Sequence, residues 1–304
     1  MIKQVWIDTD LSVGMKRHAR EGYCDVDDGY AVLQLMKAHN INIKGISAVF
    51  GNTSIENAYA LSQKMSKEFA GGKIPVYKGA GEALVLANIE TNEAVEALAA
   101  ALKKEKLIIM AIGPATNVGI LLLKYPELAP QIEDVVLVAG RRKATDYFEI
   151  GTQGNHAPDL NFDLDNNAFR IMFEAKIKVT LCPFEISNKV WLKDADLKRL
   201  KNGDPVNEWL AEASKPWLEQ WIKQGAEGFN PFDVLASHYI IAPEDLKVEP
   251  LNTRLEIHQN DMIPENDKMV FKQYLLCDKG AGYPINYCYD VVADYHEKLI
   301  KSLL

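Results

Sequence analysis

Val5-Trp6-Ile7-Asp8-Thr9-Asp10 and Asp25-Val26-Asp27-Asp28-Gly29-Tyr30-Ala31-Val32-Leu33 are the two segments on which the fold turns. The first reads as a short apolar strand that ends in acids. The second reads as a helix start, with acids in its first turn and an apolar run behind them. A parallel α/β sheet builds its site where strands end and the following helices begin. Five carboxylates, those of Asp8, Asp10, Asp25, Asp27 and Asp28, are therefore expected to converge at one edge. Acids crowded into a crevice repel one another unless a cation lies among them, and carboxylate oxygens suit a hard divalent ion. Asp27 and Asp28 would equally serve as ordinary N-terminal helix charges, and spacing alone does not separate the two roles.

The alternation of strand and helix continues outward from these segments. Residues 41–50 read as a strand that stops at Gly51-Asn52-Thr53, followed by a helical pattern to about Glu68 and a short strand at Ile74-Pro75-Val76-Tyr77. Residues 91–104 have helical spacing. Leu107-Ile108-Ile109-Met110-Ala111-Ile112 is a continuous apolar strand, as expected where both faces are covered. It ends at Gly113-Pro114-Ala115-Thr116-Asn117, where a helix begins. Val135-Val136-Leu137-Val138 is another buried strand, a helix runs from Asp165 to about Ala175, and residues 177–181 form the next strand. Repeated units of this kind predict a mostly parallel, doubly wound α/β sheet with right-handed crossovers.

The texture changes after Pro183. Residues 191–224 are helical and amphipathic and carry Trp191, Trp209, Trp217 and Trp221, and Phe229-Asn230-Pro231-Phe232-Asp233 opens a further helix. Strand-rich stretches at 248–258 and 269–278 and a terminal helix from about Tyr289 complete the chain. No repeat or low-complexity linker divides it, so residues 1–304 read as a single domain with a helical elaboration in the C-terminal part. Residues 11–24 interrupt the opening strand-to-helix unit with a basic, polar insertion holding Gly14, Lys16, Arg17, His18, Arg20 and Gly22. A loop of this length is either a lid over the site or a plain surface excursion.

With 304 residues, 48% hydrophobic and 25% charged, the chain can bury a full core. A net charge of −8 argues against a nucleic-acid backbone or an anionic membrane as partner, because both select basic patches. No basic-then-apolar leader and no membrane-length apolar run is present, so a cytoplasmic location is expected. The four cysteines, Cys24, Cys182, Cys277 and Cys288, show neither CxxC pairing nor metal-ligand spacing. Cys182 lies in an apolar strand pattern and reads as a reduced core residue.

Asp8-Thr9-Asp10 followed by Asp27-Asp28 resembles the signature of the inosine-uridine-type nucleoside hydrolases. Gly51-Asn52, Gly113-Pro114-Ala115-Thr116-Asn117, Asp159-Leu160-Asn161 ahead of Asp165, and Pro231-Phe232-Asp233 fall in that family's order and extend the resemblance over nearly the whole chain. The resemblance implies an enzyme that cleaves the N-glycosidic bond of a ribonucleoside to free base and ribose, with a calcium-bound water. It implies that Asp10 acts as general base and, with Asp28, Asp233 and the main-chain carbonyl of Thr116, holds the calcium. It also implies that Asp27, Asn52, Asn155 and Asn161 grip the ribose, with Asp159 at a further ribose position and Phe232 facing a purine-like base. A homodimer or homotetramer is expected on the same ground.

Ribose offers vicinal hydroxyls, which oxygen-rich side chains and a divalent ion can hold. Cleavage of the glycosidic bond builds positive charge on the sugar, which nearby carboxylates stabilise. Taken singly, Asn52 and Asn161 would pass for polar turn residues. Three departures from the family pattern stand out. The first and second acid pairs are far apart, which leaves open whether Asp25 takes a role assigned to Asp27 or Asp10. Asp159 is one methylene shorter than the family's usual Glu. Phe232 stands where one branch carries a proton-donating His. The leaving-group acid is thus open among His18, His156, His238 and the irregular stretch at 283–289. A metal-dependent nucleoside or ribose binding protein of the same fold would share most of these residues. A phosphatase built on an Asp nucleophile would leave the Asp233 and Gly113 blocks unexplained.

Overall fold

The computed structural model describes residues 2–17, 21–262 and 270–304; His18, Arg20 and Met269 lie outside them. In chain order the strands are β1 (Lys3–Thr9), β2 (Ile41–Ala48), β3 (Val76–Lys78), β4 (Leu107–Ala111), β5 (Ile132–Leu137), β6 (Phe148–Ile150), β7 (Asn155–Ala157), β8 (Val179–Leu181), β9 (Leu246–Gln259), β10 (Phe271–Asp278) and β11 (Tyr283–Val291). The α-helices are α1 (Asp27–Lys37), α2 (Ile55–Lys64), α3 (Glu93–Leu102), α4 (Thr116–Lys124), α5 (Leu160–Leu164), α6 (Asn166–Glu174), α7 (Phe184–Ser187), α8 (Asp194–Lys201), α9 (Pro205–Lys223), α10 (Val234–Ile241) and α11 (Tyr295–Leu303).

Among the described residues nine strands form one sheet in the order β10-β9-β11-β8-β5-β4-β1-β2-β3, and β6 pairs with β7 as a separate hairpin. From β3 through β8 to β11 all neighbours are parallel, and β9 runs antiparallel to both β11 and β10. The expected mostly parallel sheet is therefore the observed one.

The two-residue period of the strands sorts side chains between two cores. Val5 and Ile7 of β1 join Ile108 and Met110 of β4 on one face, while Trp6 joins Leu107, Ile109 and Ala111 on the other. Helices α1, α9, α10 and α11 cover the first face and α3, α4 and α6 the second. Coverage on both sides explains why these strands read as unbroken apolar runs.

Two local expectations are corrected. Residues 191–224 make two helices, because Asp204 accepts a hydrogen bond from the Asn207 N–H and starts α9 after a break. The terminal helix begins at Tyr295 and not near Tyr289, and residues 283–289, read as irregular, belong to the interior strand β11. Ile285, Tyr287 and Cys288 are buried there between β8 and β9, so tertiary pairing overrides the turn-like look of Pro284 and Asn286.

The described arms of the insertion, residues 11–17 and 21–24, pair with one another and dock on α9. The Cys24 N–H donates to the Met15 carbonyl at 2.7 Å and the Arg17 N–H to the Gly22 carbonyl at 3.0 Å. The Tyr23 N–H reaches Gln220 Oε1 of α9 at 2.9 Å. Gly14 has φ +66°, and a Cβ there would lie 2.2 Å from the Ala213 carbonyl oxygen, so only glycine allows the approach.

Trp221 of α9 is fully buried against Trp191, Trp217, Phe148 and Phe232. Trp221→Ala should cost about 3–5 kcal/mol of stability, measured as a fall in the urea unfolding midpoint at unchanged m-value. A loss under about 1 kcal/mol would show that α9 is not part of this core.

Candidate active site

The chain leaves β1 toward β2 on one side and later toward β4 on the other, so a crevice opens beyond the ends of β1 and β4. Alternation along β1 then decides which acid goes where. Thr9 falls on the Val5 and Ile7 face and donates its hydroxyl proton to Asp28 Oδ1 at the start of α1. Asp8 falls on the opposite face, where Ser47 of β2 and Asn117 of α4 donate to its Oδ1, the latter at 2.7 Å. Asp8 is therefore a fastener between strand and helix and does not line the crevice, contrary to the expected convergence of all five acids.

A cavity of about 640 Å³ fills the crevice. Asp25, Asp27 and Asp233 line it, and Asp10 and Asp28 are fully buried beside them. Ligand oxygens of Asp25, Asp27 and Asp28 lie within 4.8 Å of one another. Two unit charges at that separation repel by about 3 kcal/mol even at an effective dielectric constant of about 20. Asp10, Asp27, Asp28 and Asp233 have pKa values well above the ordinary carboxylate range, chiefly through burial and then through the charges of Asp25 and of one another. Burial likewise raises Asp25 to about 6, with Ser12, Arg17 and Asn52 opposing the shift.

Two features show what this corner lacks. Asp10 Oδ1 and Asp28 Oδ2 are buried without a hydrogen-bond partner. Asp10 Oδ2 accepts the Asn52 N–H at 2.6 Å, and Asp27 Oδ2 accepts the Asp233 N–H at 3.3 Å. A Cβ on Gly51 would lie 2.0 Å from Asp10 Oδ2, so glycine is what admits the carboxylate. Unpartnered oxygens on mutually repelling carboxylates fit a hard divalent cation.

The polar grips are also assembled. Asn52, Asn155, Asp159 and Asn161 line the cavity. Asn161 donates its side-chain nitrogen to the Ile112 and Val138 carbonyls at 3.1 and 3.2 Å, which leaves its oxygen to meet a ligand. Asp159 accepts the Gly140 N–H at 2.8 Å and is raised to about 6, mainly by burial, with Arg141 opposing. Asn155 donates to Gln224 Oε1 at 3.3 Å.

Thr116 does not join the cluster. It is the first residue of α4, where its carbonyl belongs to the helix ladder, and its hydroxyl donates to Asp165 at 2.6 Å. The residue at the end of β4 that does line the cavity is Ile112. Sequence patterns did not single it out, because an apolar strand-end residue carries no polar side-chain signature.

An aromatic wall closes the cavity, formed by Phe148, Phe184, Trp217, Trp221 and Phe232, with Phe232 edge-on to Phe148 at 5.2 Å. The residues considered as proton donors separate clearly. His238 is buried between Gln34 and Asp245 Oδ2, each at 3.0 Å, away from the cavity. Tyr287 of β11 donates to Glu185 and lies in the sheet core. His156 lines the cavity, with Nδ1 3.0 Å from the Asp261 carbonyl, and Arg17 lines it from the hairpin.

A doubly wound sheet with an acid-packed switch point beneath an aromatic wall defines an α/β enzyme with a buried polar crevice. The chain belongs to the inosine-uridine preferring nucleoside hydrolase family, whose model matches residues 5–286. It is 24% identical over 251 residues to a pyrimidine-specific ribonucleoside hydrolase from Photobacterium profundum, covering 72% of this chain and 77% of that one. A Citrobacter koseri protein of the same description is 25% identical over the same shares. Among solved structures, a purine-preferring ribonucleoside hydrolase from Gardnerella vaginalis superposes with a TM-score of 0.77 at 18% identity, over 99% of this chain and 98% of that one. An inosine-uridine preferring nucleoside hydrolase from Bacillus anthracis gives 0.71 at 18% identity over 99% of each chain.

A carboxyl whose folded pKa is raised contributes stability that is full below its unfolded value, about 3.9, and is lost as pH rises through the folded value. Protein treated with chelator should therefore have a higher Tm at about pH 5.5 than at about pH 7.5. His238, whose pKa burial lowers, works in the opposite sense, but as one group against five acids. Added calcium should raise Tm most at the higher pH. A chelated protein less stable at the lower pH and indifferent to calcium would exclude the acid cluster as a cation site.

Proposed function

We propose that the protein hydrolyses the N-glycosidic bond of ribonucleosides to free base and ribose, with calcium held by Asp10, Asp28, Asp233 and the Ile112 carbonyl. The observation that carries this reading is the pair of buried, unpartnered oxygens, Asp10 Oδ1 and Asp28 Oδ2, within a cluster of mutually repelling acids. When bound, the ion would neutralise the cluster and make a neighbouring water more acidic.

The chain's own groups then divide the work. Asp10, oriented by the Asn52 N–H, takes the proton of the attacking water as general base. Asp27, Asn52 and Asn161 hold ribose hydroxyls, and Asn155 and Asp159 hold the sugar's far side. As the bond to the base breaks, positive charge builds on the sugar and the acids beneath stabilise it. The aromatic wall stacks the base and excludes water. The relatives' names divide between pyrimidine-specific and purine-preferring, and both are compatible with such a wall.

Incubation with a panel of ribonucleosides in phosphate-free buffer should release base and ribose, with loss of activity on chelation and recovery with calcium. Product formation that requires phosphate, or that ignores chelator, would overturn the reading. Asp10→Asn should lower turnover by about 10²–10⁴-fold while a ribonucleoside still binds. Normal turnover in that variant would transfer the base role to Asp25 or Asp27.

A further inference from the structure

Arg141 lies just beyond the end of β5 and is fully buried. Its main chain is fixed to β10: its N–H donates to the Leu275 carbonyl at 3.0 Å, and its carbonyl accepts the Cys277 N–H at 2.9 Å. The guanidinium packs on the rings of Phe184 and Tyr274, 5.3 and 5.0 Å from their centroids. Nη1 donates to Asp261 Oδ2 at 2.7 Å and to the Asp146 carbonyl at 3.1 Å. Nε and Nη2 have no hydrogen-bond partner among the described residues.

A buried guanidinium is costly unless its charge is matched. Asp261 matches it only in part, because Lys272 pairs with the same carboxylate at 2.9 Å and with Asp163 at 2.7 Å. The further carboxylate within electrostatic reach is Asp159, whose Oδ2 accepts the N–H of Gly140, the residue before Arg141, at 2.8 Å. Asp159 lines the cavity and Arg141 does not, so Arg141 acts on a ligand through Asp159. Asp159 is faced by Arg141 from the end of β5, Lys272 from β10 and Asp163 from α5. The two cations favour its ionised form and Asp163 opposes them. Tyr274, beside the guanidinium, is pushed up to about 12 and stays neutral, and His156 meets the main-chain carbonyl of Asp261.

We propose that Arg141 is a positioning residue that holds Asp159 as an ionised acceptor for the C5′ hydroxyl of the sugar. This rests on the reading above, in which Asp159 meets the sugar's far side, where C5′ lies once the vicinal hydroxyls face the acids. A hydroxyl donates more strongly to a carboxylate than to a neutral carboxyl, so the charge that Arg141 maintains becomes discrimination between sugars.

The test compares kcat/KM on inosine and on 5′-deoxyinosine across pH, with calcium present. Both substrates share the base and the acids under the ring, so their ratio cancels those titrations and reports the C5′ contact. In wild type the ratio should be about 10- to 100-fold at neutral pH and should fall as pH drops through about 6, where Asp159 takes up a proton. Arg141→Met should move that midpoint up by about 1 pH unit or more and shrink the ratio at neutral pH. Arg141→Lys should restore most of both, and Asp159→Asn should leave a small ratio that no longer varies with pH. Equal losses on both substrates in Arg141→Met, or an unmoved midpoint, would overturn the proposal. If Arg141→Met does not fold, Asp261→Asn decides: freeing the guanidinium from its competing carboxylate should lower the midpoint, and an unmoved one would overturn the role. If wild type releases base from neither substrate, the reaction reading falls instead. Calorimetric binding of the two nucleosides then decides Arg141 on its own, because an Arg141→Met variant that keeps the wild-type preference would overturn its role.

Discussion

Keeping several carboxylates together in a dry corner is the constraint on which the rest of this structure depends. Asp10, Asp27, Asp28 and Asp233 are all buried, and their like charges oppose one another. The fold brings positive ends of dipoles to meet them. Asp27 and Asp28 sit in the first turn of α1, and Asp233 stands at the start of α10, where unpaired N–H groups carry partial positive charge. Main-chain N–H groups of Asn52 and Asp233 and the Thr9 hydroxyl supply individual donors. These donors still leave two oxygens of the cluster, Asp10 Oδ1 and Asp28 Oδ2, unpartnered.

The remainder of the site is arranged around that corner by packing. The central sheet is a rigid platform because both of its faces are covered, and the strand ends therefore hold their positions. On this platform α9 forms a wall of tryptophans, and the described arms of the 11–24 insertion lean on the wall through Gly14 and Tyr23. The insertion thus brings Arg17 to Trp217, and Asp25, which directly follows it, joins the acids. Its two attachment points are the residues that follow β1 and precede α1, so the site and the insertion are mechanically one unit.

Most of the sheet could be read directly from the chain. Strands such as Leu107–Ala111 are buried on both faces, which enforces an apolar run, and the Gly-Asn and Gly-Pro blocks mark where those runs stop. Tyr283–Val291 failed the same reading because Pro284 and Asn286 have weak strand propensity and its order comes from long-range pairing with β8 and β9. The acids were legible as a group, but Asp8 was misplaced among them. Which face of a strand a residue takes depends on where that strand lies in the sheet, and only the cores on either side reveal it.

By itself, the sequence determined most element types, the mostly parallel sheet and the chemical inventory of the site, because periodicity and turn residues are local properties written in short segments. Tertiary structure alone decided which of these groups meet. It turned Asp8 away to Ser47 and Asn117, tied Thr116 to Asp165, and set the residue at the end of β4, Ile112, on the cavity wall instead. It also removed His238 to a buried structural pair and brought Arg17 beside Trp217, far along the chain. Such contacts depend on the directions of helix axes and strand faces across the whole sheet, which no short stretch of sequence encodes.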